Sequence, residues 1–298
     1  MAQRPVVLDG GLATQLESKG HDLSSALWSA RLLRDDPEAI VEAHRTFFAA
    51  GAEVATTASY QATYEGFARA GLTGDETTRL LRRSVALAQQ AREQQEAATA
   101  DSRDRFVAGS VGPYGAMLAG GEEYSGDYRV PVKTLRAFHR PRLEVLLDAG
   151  ADVLALETIP QLAEVEALLE EVDRLGAAAW LSVSVDGARL RSGEPLEEVW
   201  AMAHDVPALV AVGVNCSTPD DAGAAVAPAR TGSGKAVVVY PNSGERWDAE
   251  ERCWVGRGGL DPEAVTQWLD DGARLVGGCC RVGPAAIEQI AVTVHALA

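Results

Sequence analysis

Short, almost wholly apolar runs alternate with longer amphipathic stretches from one end of the chain to the other. Eight runs read as strands: Val6–Leu8, Val54–Ala58, Phe106–Ser110, Val153–Leu156, Trp180–Val185, Leu209–Val214, Ala236–Tyr240 and Ala273–Val276. Continuous hydrophobicity of this kind suits parallel strands buried on both faces. The intervening segments carry helical signals. Ala264, Val265, Trp268 and Leu269 fall on one helical face, and Thr218-Pro219, Asp261-Pro262 and Gly283-Pro284 each put proline where a first helical turn tolerates it. A weak repeat joins helix to strand at Ala50-Gly51-Ala52-Glu53-Val54, Ala149-Gly150-Ala151-Asp152-Val153 and Asp271-Gly272-Ala273-Arg274-Leu275. Glycine just past a helix end can take the left-handed conformation that turns the chain into the next strand. Eight such units predict an α/β fold, a (β/α)8 barrel, with residues 1–298 as one domain. A doubly wound open sheet is the main rival for the same pattern. The glycine-rich stretch from Gly109 to Gly126 is expected to form a mobile loop above the barrel mouth.

Composition narrows the function. The chain has 298 residues and a formal net charge of −16, from 43 acidic and 27 basic residues. Such a field repels nucleic acid, whose binding needs lysine and arginine against phosphates. No apolar run approaches the ~20 residues that span a bilayer. The N-terminus enters a strand almost at once, without the apolar segment of a secretory signal, which predicts a cytoplasmic protein. In a reducing compartment the four cysteines, Cys216, Cys253, Cys279 and Cys280, suit metal binding or catalysis better than a disulfide framework.

Function in a barrel lies just past the C-terminal ends of its strands. There the chain places Asp9-Gly10-Gly11, Ser59-Tyr60-Gln61, Glu157-Thr158, Asn215-Cys216, Pro241-Asn242-Ser243-Gly244-Glu245 and Gly278-Cys279-Cys280. Glu157 follows Gly150 by seven residues, as Cys279 follows Gly272, so both are expected at similar height on one rim. The sixth and eighth strands are separated by one strand, about 10 Å across. Sulfurs leaning inward from both can share one ion, and three thiolates leave the fourth tetrahedral position open, as in catalytic zinc. Soft sulfur favours zinc over magnesium or calcium. Each cysteine taken alone also reads as a small buried residue. Cys253, in a charged loop after the seventh strand, is not expected to be a ligand. His44 and His139 sit on helical segments and read as ordinary core or polar histidines. Thr231-Gly232-Ser233-Gly234-Lys235 mimics part of a P-loop but precedes a strand and lacks the motif's first glycine.

The combination of Leu8-Asp9-Gly10-Gly11-Leu12-Ala13-Thr14-Gln15-Leu16-Glu17 with Glu157-Thr158-Ile159-Pro160, Asn215-Cys216, Tyr240-Pro241-Asn242-Ser243-Gly244-Glu245 and Gly277-Gly278-Cys279-Cys280 resembles the cobalamin-independent homocysteine S-methyltransferases. The match runs along nearly the whole chain in the right order. The resemblance implies a (β/α)8 barrel with zinc on Cys216, Cys279 and Cys280. It implies that Asp9 and Glu157 help bind the homocysteine amino group, with the neighbouring backbone of Gly10 and Gly11 at the carboxylate. Ser59 and Asn215 are weaker substrate-binding candidates. Family members divide by methyl donor. The Glu157-Thr158-Ile159-Pro160 form and the short chain look more like the branch that uses S-methylmethionine, often with S-adenosylmethionine, than like the betaine branch. Small-molecule substrates are the expected partners, and the oligomeric state is left open. Two other classes remain in view: a zinc barrel that activates water, and a non-catalytic zinc-binding barrel.

Overall fold

The computed structural model describes residues 4–23, 31–118, 120–248, 253–255 and 258–296. All eight expected strands form: β1 (Val6–Val7), β2 (Val54–Thr56), β3 (Phe106–Val111), β4 (Val153–Ile159), β5 (Ala179–Val183), β6 (Leu209–Asn215), β7 (Ala236–Tyr240) and β8 (Ala273–Val276). They make one parallel sheet in the order β1-β8-β7-β6-β5-β4-β3-β2. A parallel bridge between Leu8 and Val54 joins the two ends, so the sheet closes. That closure decides for the barrel over the open doubly wound sheet, because an open sheet would leave two edges unpaired.

Alternation along each strand sorts side chains between two apolar layers. On β7, Val238 and Tyr240 point into the barrel with Leu8, Val54, Ala155, Trp180 and Leu275. Val237 and Val239 point outward into the layer beneath the helices. The junction glycines behave as their sequence predicts: Gly51, Gly150 and Gly272 have φ of 102°, 90° and 114°. Helices Pro219–Ser233 and Pro262–Asp270 start at the anticipated prolines, capped by the side chains of Thr218 and Asp261. The P-loop mimic closes the first of these helices, with Gly234 left-handed before β7.

Small shifts at strand ends apart, two regions near the cleft differ from the sequence reading. β4 runs three residues further than expected and carries Glu157 and Thr158 within it. The stretch after β3 is not a plain loop. It forms a helix, Tyr114–Leu118, and a 3-10 turn, Glu122–Tyr124, before helix Val132–Asp148 begins. No described helix is long and apolar enough to cross a membrane.

Candidate active site

One cleft at the C-terminal end of the barrel is lined by Asp9, Gly10, Gly11, Glu157, Cys216, Cys279 and Cys280, together with Thr56, Tyr60, Ser110, Tyr124, Thr158 and Tyr240. Residues more than 200 positions apart in sequence thus meet in one space, as the strand-end placement anticipated.

The sulfur cluster is built by backbone. Cys216 directly follows β6 in the left-handed region, with φ of 48°. Its N–H donates to Tyr240 O at 3.3 Å. The Cys279–Cys280 turn is tied to the loop after β7: Cys279 N–H donates to Pro241 O at 2.8 Å, and Cys280 O accepts from Ser243 N–H at 3.1 Å. Cys280 N–H donates to Asn242 Oδ1 at 3.2 Å. Gly11 packs so closely on this turn that a Cβ there would lie 2.6 Å from Cys279 O. The motif glycines therefore let the first strand's loop lie against the cysteine turn.

The three sulfurs lie within 4.8 Å of one another, and those of Cys216 and Cys280 are 3.7 Å apart. Tetrahedral zinc with Zn–S bonds of about 2.3 Å spaces its sulfurs by about 3.8 Å. The cluster therefore fits a thiolate-bound metal. Cys216 and Cys279 also approach closely enough to pair as a disulfide, with Cα atoms 5.5 Å apart. The cause is the convergence itself. A backbone that brings sulfurs to one ion also brings Cα atoms into the 4.4–6.8 Å range that a disulfide spans. Disulfide and three-thiolate metal site are alternative states of the same cysteines. Cys280 remains a free thiol, pushed up from its ordinary range by burial. Such a thiol needs a cation beside it to stay ionised. Cys253 opens the outer strand of a hairpin (Arg246–Asp248 with Cys253–Val255), and its side chain lies outside the described residues.

Beside the sulfurs stand two buried carboxylates. Asp9 accepts from Thr56 N–H at 2.7 Å and Thr56 Oγ1 at 2.8 Å. Burial, despite those bonds, pushes it up to about 7. Glu157 accepts from Ser110 Oγ, and from Tyr240 OH at 3.1 Å. Burial likewise pushes it up to about 7. No lysine or arginine lines the cleft among the described residues. Two desolvated carboxylates without a cationic neighbour form a site suited to a cation.

Ser59 and Asn215 stand just behind this lining. Ser59 Oγ donates to Ser110 O at 2.7 Å. Asn215 Oδ1 accepts from Thr158 N–H at 2.7 Å, and its Nδ2 donates to Thr158 Oγ1 at 2.8 Å. Thr158 has φ of 62°, a costly conformation for a β-branched residue. Asn215 therefore braces a strained residue that lines the cleft next to Glu157. Tyr60 and Tyr124 are lining residues that strand-end reasoning did not single out. Tyr60 stood in the rim motif, but nothing local to it shows which way its ring turns. Burial, then the neighbouring Cys280 sulfur, raises the Tyr124 phenol above its usual range.

Comparison with known proteins agrees with this geometry. A homocysteine S-methyltransferase family model matches residues 6–294. The chain is 46% identical over 290 residues to a homocysteine S-methyltransferase of Escherichia coli, covering 96% of this chain and 94% of that protein. It is similar to crystal structures of the homocysteine methyltransferase MmuM from Escherichia coli: the metallated form at 44% identity and the oxidized form at 43%, each with a TM-score of 0.89 over 97% of this chain and 96% of the other. With the closed barrel and the three converging sulfurs already in place, this full-length similarity means that the chain belongs to the homocysteine S-methyltransferase family.

Proposed function

We propose that this protein transfers a methyl group from a sulfonium donor, S-methylmethionine or S-adenosylmethionine, to the sulfur of homocysteine, giving methionine. The observation that carries this reading is the junction, in one cleft, of three convergent sulfurs and two buried carboxylates without a cationic neighbour. Cys216, Cys279 and Cys280 would hold zinc, which when bound keeps a substrate thiol ionised at neutral pH. Asp9 and Glu157 accept from the substrate ammonium, and that cation restores the ionised state that burial disfavours in them. Gly10 and Gly11 line the cleft beside Asp9, and the backbone there is assigned to the substrate carboxylate. Ser59 and Asn215 act one layer back by fixing the β3 end and Thr158.

In the transfer, the substrate sulfur donates an electron pair to the methyl carbon, and the carbon–sulfur bond of the sulfonium breaks. The leaving thioether departs neutral with the electron pair of the broken bond, so the step needs no general acid. The thiol proton is released to solvent before the transfer. This accounts for a cleft without a histidine. The remaining task for the protein is to align sulfur, carbon and leaving sulfur, an orientation effect. Anionic walls also favour a sulfonium over a neutral donor. We assign residues 1–298 to one domain and the protein to the cytoplasm, acting on small molecules, not nucleic acid or membrane. The test is methionine formation from homocysteine by reduced, zinc-loaded protein, with S-methylmethionine, S-adenosylmethionine and betaine assayed in parallel. Turnover with a sulfonium is expected; turnover with betaine alone defeats the donor assignment, and none with any donor defeats the reaction.

A further inference from the structure

Behind the segment that brings Tyr124 to the cleft lies a buried polar chain which the proposed reaction does not use. Glu164, on helix Leu162–Leu175, is fully buried. Its Oε1 accepts from Tyr114 N–H at 2.7 Å and from His139 Nε2 at 2.6 Å. Its Oε2 accepts from Tyr128 OH. His139 Nδ1 accepts from Arg142 Nη2 at 2.6 Å, and the same Arg142 atom donates to Gly112 O. His139 is pushed down to about 4, by burial and then by Arg142, so it is neutral, with its one proton on Nε2 toward Glu164.

The partners of this chain are the two ends of one segment. Gly112 and Tyr114 begin the excursion after β3, and Tyr128 ends it. Between them Tyr124 lines the cleft with Cys280. Gly112 also lies flat against Tyr60, where a Cβ would stand 2.7 Å from the ring. Two lesser ties hold the returning half: Gln161 Nε2 donates to Tyr128 O at 3.2 Å, and Ser184 Oγ to Glu123 O at 3.3 Å. A carboxylate accepting from a backbone N–H, a phenol and an imidazole, all out of water, forms strong, directional bonds.

We propose that Glu164 is a positioning residue: by clasping both ends of the segment from Gly112 to Tyr128, it holds Tyr124 over Cys280 and so sets access to the sulfur cluster. The clasp acts through Tyr124 and touches no substrate. This inference rests on the proposed reaction for its kinetic consequence but not for its structural one.

Glu171, two turns further along the same helix, is an internal control. It is equally buried, and it accepts from Arg136, Arg140 and Arg174 at 2.8–2.9 Å, none of them part of the segment from Gly112 to Tyr128. The experiment compares Glu164→Gln, Tyr128→Phe and Glu171→Gln with the unaltered protein. In reduced, metal-free protein, Cys280 alkylation by iodoacetamide, resolved by peptide mass spectrometry, is expected to quicken about tenfold in the first two and not in the third. In zinc-loaded enzyme the first two should raise the donor KM about as much while kcat changes less than about twofold, the signature of lost uniform binding. Unchanged Cys280 reactivity in both Glu164→Gln and Tyr128→Phe overturns the clasp, and so does an equal rise in Glu171→Gln. Should Glu164→Gln fail to fold, Tyr128→Phe decides alone, since it removes one hydroxyl. Unaltered protein that alkylates as expected but transfers no methyl group overturns the proposed reaction and leaves the clasp standing.

Discussion

Acidic residues at the N-terminal end of the barrel and the two that face the cleft are treated in opposite ways. At the N-terminal end, several acids have a cation beside them. Buried Glu53 meets Arg4 at 2.5 Å, Asp152 meets Arg92 at 3.0 Å, and Asp101 meets Arg103 at 2.6 Å and Arg105 at 2.9 Å. The Arg103 guanidinium holds Asp101 down at about 2. At the C-terminal end, Asp9 and Glu157 have only neutral donors and are pushed up to about 7. The same residue types at strand ends, on β4 at the two ends of one strand, are neutralised where they serve stability and left without countercharge where they face the cleft. Carboxylates in that state destabilise the folded chain until a cation arrives, which is how a functional end differs from a structural one.

The largest break in this contrast comes from the sulfurs. Cys279→Ala should abolish stoichiometric zinc and lower methyl transfer by at least about a thousandfold, checked by metal analysis and methionine formation. Zinc retained with full activity would refute the assignment. Next comes the acid itself. Glu157→Gln keeps shape but cannot be anionic, and should cost about a hundredfold in kcat/KM for homocysteine, the loss expected from removing one partner of a buried charged pair. An equal loss with a substrate lacking the amino group would show that Glu157 does not meet the ammonium.

Stability should move the other way. Glu157 binds its proton more tightly folded than unfolded, at about 7 against an ordinary 4.5, so its contribution is fully present below 4.5 and is lost as pH rises to 7. Such a shift corresponds to about 3 kcal/mol. Reduced, metal-free protein should therefore lose part of its urea stability between pH 5 and 8, and Glu157→Gln should flatten that slope. At the opposite end, Arg92→Ala removes a half-exposed pair and should change stability by about 1 kcal/mol or less, with kcat/KM unaltered. A large activity loss there would erase the distinction between the two ends.

Much of this was legible in the chain. Each strand is a short run whose hydrophobicity is a local property, and each junction glycine marks its own turn, so neither depends on distant residues. Asp9, Glu157 and the three cysteines could be placed on one rim because strand ends share a level in a closed barrel. The glycine-rich stretch after β3 was the weakest reading. Its composition says only that the backbone is free to turn, and the groups that order it, Glu164, His139 and Arg142, lie on two later helices.

Sequence alone determined the eight strands, the barrel they imply and the rim residues with the chemistry to act, because burial periodicity and strand-end position are encoded within a few neighbours. Tertiary structure alone decided which rim groups face the cleft and which brace it. Tyr240 reaches Glu157 across 83 residues, and Asn215 steadies Thr158 across 57. That Cys216 and Cys279 come within reach of one ion, or of each other, is likewise settled by backbone placement across 63 residues. A side chain's direction depends on left-handed residues and on partners that only closure of the barrel brings within hydrogen-bonding distance, and no local pattern carries that information.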